Sequence, residues 1–89
     1  MISDRGRARH DFSEIILDHK HEADDVLITM DAILQEYGRV RVSDLYDLVG
    51  ITPNPIDDRW GWVNLEHARV RRVGVGYLID VPVPIALDR

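Results

Sequence analysis

The chain has 89 residues, 45% of them apolar and 30% charged, which is the composition of one folded domain rather than of a disordered segment. It has no cysteine, which excludes disulfides, zinc–thiolate centres and thiol nucleophiles, and it has no apolar run near the roughly 18 residues that span a bilayer. The net charge of −5 lies in the first half: residues 1–37 hold four basic and nine acidic residues and residues 38–89 seven of each, a balance that argues against a general affinity for nucleic acid but allows a local basic face.

In chain order, residues 1–21 read as a flexible polar arm ahead of a single domain at 22–89. Arg5, Arg7 and Arg9 alternate with small residues in the arm, and no apolar run behind them resembles a signal peptide. Residues 12–17 fit either a short strand or one turn of helix. From 22 to 37 the spacing predicts a helix, because Val26, Leu27, Met30, Ile33, Leu34 and Tyr37 share one face. Glu22, Asp24 and Asp25 suit its positive N-terminal end, and Gly38 suits its termination. Residues 39–42 alternate as a half-buried strand, Val40 and Val42 inward and Arg39 and Arg41 outward. Ser43 is the expected N-cap of a second helix, with Leu45, Leu48 and Val49 on its apolar face and Gly50 at its end.

Two prolines exclude a long helix at 51–59 and leave room for a single turn after Thr52. Trp60 and Trp62, two apart in an extended segment, fall on one side. Asn64 is placed to cap a turn ending at Ala68. Two β-rich runs, 70–73 and 77–81, flank Gly74-Val75-Gly76, where glycine supplies the positive φ of a tight hairpin. Pro82 and Pro84 end the second run, and the tail lies extended over the body through Ile85 and Leu87.

This order predicts an α+β, winged-helix-like fold: helix, strand, helix, irregular turn and a β-hairpin as the wing, with strand 39–42 as the third antiparallel strand at the base of the hairpin. The expected core is Val26, Leu27, Met30, Ile33, Leu34, Val40, Leu45, Leu48, Val49, Leu65, Val70, Leu78 and Val81.

Tyr37-Gly38, Asp44-Leu45-Tyr46, Gly61-Trp62 and Gly76-Tyr77, with the runs around them, resemble a group of small uncharacterised proteins of bacteriophages, prophages and mobile elements of Gram-positive bacteria. The resemblance covers residues 22–85. Where members of the group carry an Asn-Lys-Tyr-Gly-Trp-like run, this chain has Asp58-Arg59-Trp60-Gly61-Trp62. The resemblance implies a mobile-element origin and no particular activity. The expected location is the host cytoplasm or the interior of a virus particle.

No residue set has the form of a nucleophile with its base or of a phosphate-binding loop, so a non-enzymatic protein without a cofactor is expected. His19 and His21, with His10 and Asp18 nearby, read either as metal ligands or as a polar linker. Asp44, Asp47, Asp57 and Asp58 read either as a carboxylate site or as helix-end and turn residues. Asp57, Asp58, Arg59 and Trp60 form the candidate partner-binding segment, with Trp62 and Tyr77 assigned to the core. Arg39, Arg41, Arg69, Arg71 and Arg72 form the candidate nucleic-acid face, a reading that needs the strand and the hairpin to pair, and the alternative is a solvated sheet face. Residues 51–59 lack the side chains that read base edges in a major groove.

The expected function is therefore a protein-interaction or structural module with another phage or host protein as partner, and homo-oligomerisation is open. The alternatives are a winged-helix DNA-binding regulator and an acidic inhibitor of a host defence protein that imitates DNA.

Overall fold

The computed structural model describes residues 14–87. Its elements are β1 (Ile16–Leu17), α1 (Lys20–Tyr37), β2 (Val40–Arg41), α2 (Val42–Val49), a 3-10 helix (Pro55–Arg59), β3 (Trp60–Trp62), β4 (Arg69–Val73), β5 (Gly76–Asp80) and β6 (Ile85–Ala86). The protein is an α+β domain, and the order from α1 to the β4–β5 hairpin is compatible with a winged-helix-like arrangement.

Helix α1 buries Ala23, Val26 and Met30, a stripe at helical spacing, with Leu27, Ile33 and Leu34 packed at its margins. It starts two residues earlier than the spacing predicts, where Lys20 Nζ donates to Asp24 Oδ2 at 2.8 Å. It ends at Gly38, whose φ of 80° places it in the left-handed region and whose N–H donates to Leu34 O at 2.8 Å. Tyr37, expected on the apolar face, lies past the last covered turn and is exposed.

Helix α2 follows β2 without a loop. Val42, Leu45, Tyr46 and Val49 are buried, whereas Leu48, expected in the core, is 37% exposed. Ser43, expected as the cap, sits inside the first turn instead. The capping acceptor is Asp44, whose carboxylate takes the Arg41 N–H at 2.9 Å.

Two three-stranded antiparallel sheets flank the helices, ordered β1-β5-β4 and β2-β3-β6. This corrects the expected topology. The hairpin takes its third strand from β1, with Ile16 opposite Leu78 and Leu17 opposite Tyr77. Strand β2 pairs with β3 instead, Val40 opposite Trp62 and Arg41 opposite Gly61. The driving force is burial ahead of α1: Ile15 is fully buried, Leu17 nearly so, and the Ile79 N–H donates to Ile15 O at 3.0 Å. The described part of the expected arm, residues 14–21, therefore belongs to the folded body. Arg5, Arg7 and Arg9 lie outside the described residues.

Two glycines permit close approach. A Cβ on Gly61 would strike the Val40 carbonyl and Arg41 Cα, and a Cβ on Gly76 would strike the Leu17 carbonyl. The hairpin turn itself does not use a positive φ at Gly74. The expected turn after Asn64 is present: Asn64 Oδ1 accepts the Glu66 N–H at 2.7 Å, and Ala68 N–H donates to Leu65 O at 3.0 Å. The tail forms β6 on β3, with Leu87 partly covered and Ile85 exposed. Among the described residues, no helix is long and apolar enough to cross a membrane.

Candidate functional site

The site begins with the 3-10 helix. Pro55 fixes φ at its start. The Asp57 carboxylate accepts the Asn54 N–H at 2.7 Å, and the Asp57 N–H donates to Asn54 O at 2.9 Å. Asp57 thus closes the turn and is partly covered. Asp58 and Arg59, next in the chain, face solvent. The Leu87 N–H donates to Arg59 O at 2.7 Å and ties the end of the helix to the tail.

Strand β3 continues directly from this helix and separates its two tryptophans. Trp62 is 2% exposed, stands opposite Val40, belongs to the core cluster, and donates its Nε1–H to Pro82 O at 2.7 Å. Trp60 stands opposite Ala86 at the open end of the strand and is 43% exposed. Ile56, Arg59, Trp60 and Ala86 enclose a groove of about 280 Å³. Val83, Ile85 and Val63 are exposed along a separate groove with Gly61, and Ile85 stands opposite Gly61 rather than Trp60.

Three of the four expected partner-binding residues, Asp58, Arg59 and Trp60, are thus presented together, and Asp57 serves the backbone. Ile56, which lines the groove, is not among the residues expected there, and Ile85, expected to lie over the body, is exposed. Their only signal is an apolar residue beside prolines, which equally marks a covered loop.

The arginines do not assemble as expected. Because β2 and β4 belong to different sheets, Arg39 and Arg41 do not share a sheet face with Arg69 and Arg71. Arg41 lies between two carboxylates, Asp44 at 3.4 Å and Asp58 at 3.8 Å. Its hydrogen bond to Asp44, reinforced by the charges of Asp44 and Asp58, holds its guanidinium above the usual value. Arg71 pairs with Asp80 at 3.3 Å, and Arg72 lies over the Tyr77 ring, 5.9 Å from its centroid. Helix α2 presents Asp44 and Asp47, and the 3-10 helix presents Asp57 and Asp58, the wrong charge for a phosphate-facing element.

His19 and His21 stack with ring centroids 5.7 Å apart. His10 lies outside the described residues. Among the described residues no three His, Asp or Glu side chains are grouped to hold a metal ion, and Asp44 and Asp57 are engaged in helix caps. The chain matches no protein-family model, no curated protein and no solved structure.

Proposed function

We propose that the chain is a non-enzymatic protein-interaction module of a phage or mobile element that holds a protein partner on the Ile56–Trp60 face. The observation that supports this most is the half-exposed Trp60 ring in a groove with Ile56, two residues from a tryptophan that is fully employed in the core. Tryptophan at a shallow apolar groove is the typical anchor of a protein interface, and the flanking Asp58 and Arg59 supply the charged rim that excludes water and sets orientation. A DNA-binding role has weaker support, since Arg41 is neutralised by two carboxylates and Arg71 by one.

The test compares proteins captured from infected host cells by the intact chain and by Trp60→Ala. The substitution should lower folding stability by only about 1–2 kcal/mol and leave the chain folded, because nearly half of the residue is exposed. It should weaken the specific partner by about 2 kcal/mol, roughly thirty-fold. A partner held equally by Trp60→Ala would contradict the proposal. So would a salt-sensitive duplex DNA shift that disappears when Arg69, Arg71 and Arg72 become alanine.

A further inference from the structure

A second surface lies between α1 and α2 and shares no residue with the Trp60 groove. It is a groove of about 520 Å³ whose floor includes Leu17, Val26 and Leu48 and whose rim carries Glu22, Asp25 and Asp47. The carbonyl end of α2 opens beside it, with no basic residue in the last turn of that helix. The helix dipole therefore adds negative potential to the rim. Such a groove suits an apolar tip flanked by cations.

The chain itself carries such a tip. Val75 at the turn of the β4–β5 hairpin is 67% exposed. Arg72 stands just before the turn, exposed and without a salt bridge among the described residues. The sheet register sets tip and groove side by side: Leu17 pairs with Tyr77 and Tyr77 with Arg72, so all three project from the same sheet face. Leu17 belongs to the groove and Arg72 to the tip. Opposite charges adjacent on one face complement each other when a second copy is turned through a two-fold axis, the symmetry of most dimers.

We propose that two copies of the chain pair through this face, the hairpin tip at residues 72–75 of each entering the acid-rimmed groove of the other. Val75 rests on the apolar floor near Leu48, and Arg72 faces Asp25 and Asp47. The contact is reciprocal and closes as a dimer rather than a filament. It is distinct from the Trp60 surface, which stays open for another protein.

Sedimentation equilibrium of the full chain, over a concentration series at low and high salt, tests this. The chain should form a dimer that weakens as salt screens the contact. Arg72→Glu alone and Asp25→Arg with Asp47→Arg should each raise the dissociation constant at least about ten-fold. An equimolar mixture of these two variants should recover the dimer, because each charge reversal then meets its opposite. Recovery also shows that both variants are folded. Trp60→Ala should dimerise as the unaltered chain does. A chain that stays monomeric at low salt overturns the proposal. A dimer indifferent to both charge reversals, a mixture that does not recover, or a dimer lost with Trp60→Ala overturns it as well.

Discussion

Trp60 and Trp62 are separated by one glycine, point to the same side of a strand, and yet meet different surroundings. Trp62 sits where β2 covers the strand and where the Pro82 carbonyl is within reach of its indole. Trp60 sits one pair beyond Arg41, where β2 has already turned into α2 and nothing of that strand is left to cover it. Gly61 makes the arrangement possible by letting the backbones of β2 and β3 approach. Ser43 is the opposite case, a polar group placed without a use. Its hydroxyl is buried and has no hydrogen-bond partner among the described residues. Such a group loses its water without compensation, so Ser43→Ala should raise stability by about 1 kcal/mol in urea denaturation. A loss of stability would show that the hydroxyl has a partner.

At the level of elements, what is legible in the sequence is what is local. The stripe of α1, the glycines that end both helices, the Asn64 turn and the hairpin runs all declare themselves within a few residues. Pairing partners are a different matter. β1 is an unbroken apolar pair with no period, β3 is extended but only three residues long, and β6 is two residues long after a proline, so none is long enough to declare its partner. Strand 39–42 alternates well but has no feature that chooses between the hairpin and β3. The same locality explains the site: Trp60 and its charged neighbours are contiguous and could be found, whereas Ala86 reaches Trp60 only through the β3–β6 pairing. The role of β1 has a direct consequence. Ile15→Ala should cost about 3 kcal/mol, the cost of a core position, and should speed hydrogen exchange at the Ile79 amide, which donates to Ile15 O. A change within about 0.5 kcal/mol would return this segment to a dispensable arm.

For the whole molecule, the two sheets divide the labour. The β1-β5-β4 sheet packs on α1 and brings an arginine-flanked tip beside an acidic groove. The β2-β3-β6 sheet closes the other part of the core with Trp62 and leaves Trp60 at its end. The unequal charge of the two halves of the sequence is then a property of surfaces: α1 carries Glu22, Asp24, Asp25, Asp31 and Glu36 against Lys20 alone, and β4 carries Arg69, Arg71 and Arg72. The arginines are dispersed among carboxylates and an aromatic ring rather than gathered into one basic field. One tryptophan serves the core while the other is kept free. Acrylamide quenching of fluorescence in Trp60→Phe and Trp62→Phe tests this most directly. The chain that retains only Trp62 should emit at shorter wavelength and resist the quencher, and the chain that retains only Trp60 should be quenched readily; equal quenching of the two, or the reverse order, would contradict it.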